Sequence, residues 1–90
     1  MEVNYKNQIG EIDVIAKDAE YIVFVEVKAR ASQKFGHPLE AIDARKQQKI
    51  RNVASIYLMK NKKYNSPCRF DAISILGVEQ SEITHIKDAF

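Results

Sequence analysis

Two β-rich runs, EIDVIA (residues 11–16) and YIVFVEVKA (residues 21–29), flank the polar tetrad Lys17-Asp18-Ala19-Glu20. Runs rich in β-branched and aromatic residues form strands, and a short polar break between them reads as a turn. This predicted hairpin constrains the chain more than any other feature. Successive strand side chains point to opposite faces. In the second run Tyr21, Val23, Val25, Val27 and Ala29 make an uninterrupted core face. Ile22, Phe24, Glu26, Lys28 and Arg30 share the other face, which begins apolar and ends charged. Asp13 interrupts the first run in the same way. Burying unpaired charge is expensive, so ionisable groups at the edge of a core require a role.

Strand pairing supplies one. A two-residue loop at Asp18-Ala19, or a four-residue loop over the whole tetrad, sets Ile15 opposite Ile22, Asp13 opposite Phe24 and Glu11 opposite Glu26. Asp13 and Glu26 are then diagonal neighbours on one face, with Cβ atoms roughly 6–8 Å apart. A three-residue loop would move Asp13 to the other face. Two converging carboxylates repel each other and raise one pKa. A hard divalent cation, Mg²⁺ or Mn²⁺, relieves that repulsion, and the Val27 carbonyl is a further candidate ligand. Such an ion polarises a phosphoryl oxygen. Lys28, on the same face as Glu26, is placed to position or help deprotonate an attacking water, or to stabilise transition-state charge. The plainer alternative is a structural Glu26–Lys28 pair at a solvated strand end, worth little energetically.

The rest of the chain frames this hairpin. Ninety residues make one small domain. No window approaches the roughly eighteen apolar residues of a membrane span. The N-terminus MEVNYKNQ lacks the apolar segment of a secretory signal. The single cysteine, Cys68, cannot form an internal disulfide, which fits a reducing, cytoplasmic setting; it reads as a plain core or strand-edge thiol. Net charge is +2, but Lys28 to Lys63 carry ten Lys/Arg against two acids. That imbalance suggests a face for a polyanion, with a solvated helix face as the alternative.

Residues 2–5 read as a short strand. Ser32 to Pro38 read as a loop, and Pro38 is able to open a helical turn. Asp43 reads as the N-cap of a longer helix, in which Ile50, Val53, Ala54, Tyr57 and Leu58 form one apolar stripe. Lys60, Lys62 and Lys63 suit its C-terminal end. Residues 69–76 and 83–90 read as strands. The expected order is β-β-β-α-β-β. Lys46 lies at the top of the helix's inward stripe, within possible reach of the charged face. Arg30, Lys46 and Lys49 are the candidate nucleic-acid contacts. Asp71 is a candidate partner for Arg69 or Arg30. His37 and His85 have no second ligand at a spacing that suggests zinc.

Asp13 followed by Glu26-Val27-Lys28 resembles the PD-(D/E)xK nuclease signature. More closely, GEIDVIA (10–16), FVEVKAR (24–30), FGHP (35–38), RFD (69–71) and DAF (88–90) resemble the YraN family, similar in fold to Holliday-junction resolvases. The resemblance implies an α/β, restriction-endonuclease-like mixed sheet of four or five strands with a helix on each side. It implies Asp13 and Glu26 as metal ligands, Lys28 as the catalytic lysine, and branched or flapped DNA as substrate. It also implies a domain, residues 1–90, truncated at its N-terminus: the family's first helix, whose glutamate often completes the site, has no counterpart here. Glu11, on the predicted face of Asp13, is a possible stand-in, and exposed sheet surface would favour a homodimer. The expected function is a metal-dependent endonuclease acting on structured DNA. The alternative is a non-catalytic nucleic-acid-binding or dimerisation module.

Overall fold

The computed structural model describes residues 2–30, 42–63, 65–77 and 82–90. The elements are β1 (Glu2–Lys6), β2 (Glu11–Asp18), β3 (Tyr21–Arg30), α1 (Ala44–Lys60), β4 (Cys68–Leu76) and β5 (Glu82–Ile86), in the expected order. They form a mixed α/β fold with one five-stranded sheet, ordered β1-β2-β3-β4-β5. β3 and β4 run parallel and the other neighbours antiparallel. The parallel pair follows from the connection, because only a crossover element such as α1 returns the chain to the same end of the sheet. Among the described residues α1 is the only helix, and it covers one face. The loop from Ser32 to Pro38, with Gly36 and His37, lies outside the described residues.

α1 forms where its caps and stripe place it. The Asp43 carboxylate accepts the Lys46 N–H at 2.9 Å, satisfying an N–H that the first turn leaves free. The helix ends in a Schellman motif. Lys62 adopts the left-handed region (φ 55°), while the N–H groups of Lys62 and Lys63 donate to the carbonyls of Met59 and Leu58. Ile50, Val53, Ala54 and Tyr57 pack on Ile12, Ile15, Ile22, Phe24, Phe70 and Ala72 of the sheet. Phe24 is central: its ring stacks on Phe70 at 5.3 Å and meets Tyr57 edge-on at 5.9 Å.

Two expectations change. The hairpin turn is Ala19-Glu20, with Asp18 opposite Tyr21 and Ile15 opposite Phe24. The register is therefore two residues from the one expected, because the chain uses the tightest loop available and places it one residue later. An even shift does not by itself move a side chain to the other face. The last strand stops at Ile86 rather than running to Phe90. Asp88 takes a left-handed conformation (φ 54°), and the tail turns back so that the Ala89 N–H donates to the Phe70 carbonyl at 2.7 Å. Phe90 then packs against Phe70 at 5.4 Å, and the Arg51 guanidinium lies over Phe70 at 4.7 Å.

Candidate functional site

Strict alternation fails at one point of β2. Ile12 and Ile15, three residues apart, both enter the core under α1. Val14 between them faces the reverse side beside Val23 and Val25. β1 changes phase at the same level: Tyr5 opposite Ile12 joins the core, Val3 opposite Val14 is exposed, and Asn4 between them has φ 53°. The two strands slip together, so their pairing survives. The kink is centred on Asp13. Regular pairing of β2 with β3 runs up to Val14 opposite Val25, and Asp13 and Glu26 come one step beyond.

At that step the Asp13 carboxylate takes over from the backbone. Its Oδ2 accepts the Val27 N–H at 2.8 Å, which fixes the side chain beside β3. Glu26, 9 % exposed, lies in hydrogen-bonding contact with Asp13. The two acids thus emerge on the same side of the sheet, level rather than diagonal. Lys28 Nζ and Lys46 Nζ each stand 3.9 Å from Glu26 Oε1, one from β3 and the other from the first turn of α1. Burial, then the hydrogen bond and charge of Asp13, push the Glu26 carboxyl up from 4.5 to about 7, against the pull of Lys46 and Lys28. Burial and the adjacent Lys28 lower the Lys46 ammonium, with Glu26 and Asp13 opposing.

The donor set suits a hard divalent cation on physical grounds. Two adjoining carboxyls, one of them buried and raised by the other, bring hard oxygen donors to one point, and a cation there relieves their repulsion. Mg²⁺ commonly takes one or two carboxylates and completes its shell with water and phosphate oxygens. Among the described residues no group of three or more acid, histidine or cysteine side chains converges, so the site offers two acids and not three. Glu11 does not supply the third. The kink turns Ile12 inward and so turns Glu11 away, and its side chain is exposed opposite Lys6.

The other candidates are more scattered. Val27 contributes its N–H to Asp13. The Arg30 backbone pairs with Leu76, and its side chain lies outside the described residues. Lys49 is exposed on α1 and runs over the β1–β2 turn, where a Cβ on Gly10 would meet its Cε at 2.9 Å. Cys68 opens β4 and is exposed. Lys46 is the residue the structure promotes. Its sequence signal is Arg45-Lys46 in the first helical turn, which carries no acid, although the positive end of a helix dipole disfavours cations there.

A second charged cluster occupies the reverse face. Asp71 is fully buried and receives two bonds from Arg69, at 2.8 Å and 3.0 Å. The expected Arg69 partnership is present. Asp71 also meets His85 Nε2 at 2.7 Å and the Asp88 N–H at 3.0 Å, while Arg69 bonds Asp18 at 3.1 Å. Burial pushes the Asp71 carboxyl up, but Arg69, the Asp88 N–H and His85 outweigh it and hold it below the usual 3.8. This network ties β2, β4, β5 and the tail together.

Residues 1–75 match the family described as Uncharacterised protein family UPF0102. A UPF0102 protein of Clostridioides difficile (strain 630) is 49% identical over 90 residues, covering 100% of this chain and 78% of that one. This chain is a UPF0102 protein. A UPF0102 protein of Acetivibrio thermocellus is 43% identical over 97 residues, covering 100% of this chain and 75% of its own. One of Colwellia psychrerythraea is 42% identical over 93 residues, covering 100% and 72%. Every one of the site residues Asp13, Glu26, Lys28 and Lys46 of this UPF0102 chain falls within the matched segment. No described helix is long and apolar enough to cross a membrane.

Proposed function

We propose that this UPF0102 chain is a Mg²⁺- or Mn²⁺-dependent endonuclease of the PD-(D/E)xK type that hydrolyses phosphodiester bonds in branched or flapped DNA. One observation carries the reading: Asp13 and Glu26 meet at the kink in β2, with two lysines on one Glu26 oxygen. Asp13, Glu26 and the Val27 carbonyl would hold the metal. When bound, it supplies Lewis-acid polarisation of the scissile phosphate. The Val27 N–H aims Asp13, and burial keeps the Glu26 carboxylate dry enough to bind a cation strongly. Lys28, anchored by the pairing of its backbone with Ser74, holds an ammonium beside the attacking water and the developing phosphoryl charge. Lys46 and Lys49, one turn apart on α1, and Arg30 at the end of β3 provide the phosphate contacts.

The test is cleavage of a labelled four-way or flapped DNA with Mn²⁺. Asp13→Asn and Lys28→Ala are each expected to lower the rate about 100-fold or more, with DNA binding retained. A second reading is a nucleic-acid-binding module that keeps the fold without the chemistry. It draws on the site's having two acids with no third converging among the described residues, and it predicts salt-sensitive binding with no metal-dependent product. Hydrolysis that persists in both variants overturns the assignment of the site.

A further inference from the structure

We infer that Lys46 is the resident counter-ion of the Asp13–Glu26 pair, and that a divalent metal enters by displacing it and so releases its ammonium for the substrate phosphate. This deepens the proposed function and rests on it. Two ammonium groups stand on a single carboxylate oxygen, each at 3.9 Å. With Asp13 and Glu26 ionised, the four side chains sum to zero charge. Adding a divalent ion to that set leaves an excess of two positive charges in a half-dry pocket, which is costly. Moving one lysine out to pair with a phosphodiester halves that excess.

Position decides which lysine leaves. Lys28 belongs to the central strand, where its backbone pairs with Ser74 of β4, and its side chain shares the face of Glu26. Lys46 sits in the first turn of α1, three residues after the N-cap Asp43, with its side chain 34% exposed. The helix dipole repels a cation at that end, so only the carboxylate pair holds it inward. Rotation about its four-carbon stem carries the ammonium to the mouth of the site, on the side of Lys49. Metal and phosphate binding are then coupled, and the coupling is reciprocal.

The experiment titrates the full chain with Mn²⁺ by calorimetry at constant ionic strength, near pH 8. Wild type is compared with Lys46→Met, which keeps the length and the apolar stem, and with Lys46→Arg and Asp13→Asn. The Lys46→Met variant is expected to bind Mn²⁺ about fivefold tighter or more. Lys46→Arg should bind no more tightly than wild type, and Asp13→Asn should lose binding. A short phosphorothioate duplex should bind wild type more tightly when Mn²⁺ is present, and Lys46→Met should lose that gain. If Lys46→Met binds Mn²⁺ no more tightly than wild type while Asp13→Asn loses it, the metal site stands and the counter-ion role is overturned. If neither wild type nor Lys46→Met binds Mn²⁺, both readings fall.

Discussion

Replacing Glu26 with glutamine should stabilise this protein at alkaline pH while removing its proposed metal site. The folded chain holds the Glu26 carboxyl near 7, above its ordinary 4.5, because of burial and the adjacent Asp13. At about 1.4 kcal/mol per pKa unit, ionised Glu26 costs roughly 3 kcal/mol more in the folded than in the unfolded chain. Between these two values the folded state keeps a proton that the unfolded state has released. Wild-type stability therefore falls as pH rises through that window and levels off above about 7. Glutamine keeps the shape and donates an amide N–H to Asp13, but it leaves Lys28 and Lys46 with one acid fewer. A net gain of about 2 kcal/mol at pH 8 is expected, or on the order of 10 °C in Tm. The gain should vanish near pH 4.5. Urea unfolding in EDTA across this range measures it, and added Mn²⁺ should raise the stability of wild type alone. A wild-type curve that stays level from about pH 5 to 8, with Glu26→Gln no more stable at the upper end, would show that the two carboxyls do not share a buried site.

Phe24→Ala, which removes the fully buried ring between Tyr57 and Phe70, should cost about 3–5 kcal/mol in urea unfolding. Asp71→Asn leaves Arg69 without its buried carboxylate and should cost about 3 kcal/mol at neutral pH. The depressed Asp71 carboxyl contributes stability present above pH 3.8 and lost as pH falls through its folded value, so the deficit of the variant should shrink in acid. Lys62→Gly relieves a left-handed residue at the end of α1 and should raise stability by up to about 1 kcal/mol, read as a higher thermal midpoint. Gly10→Ala meets the flexible Lys49 side chain first, so its cost should stay below about 1 kcal/mol.

The order of elements was legible because each rests on local chemistry. The period-two runs marked the strands, the Asp43 cap marked the start of α1, and the stripe from Ile50 to Tyr57 marked its buried face. The shared face of Asp13 and Glu26 was legible for the same reason, since any even loop preserves it. Their level placement was not, because the choice between adjacent turn positions depends on how the whole hairpin packs. The loss of Glu11 had the same origin. Alternation put it beside Asp13, and the joint phase slip of β1 and β2, seen only when Tyr5 and Ile12 both meet α1, turned it away.

By itself, then, the sequence determined which segments become strands and helix and that charged side chains share a face with core residues. Those properties follow from neighbours a few positions apart. Only the tertiary structure decided that Lys46 joins Lys28 on Glu26, and that Asp71, already paired with its near neighbour Arg69, also gathers His85 and the chain's tail. These groups are distant along the chain, and a charge finds such a partner only when packing of the apolar core has fixed where each backbone runs.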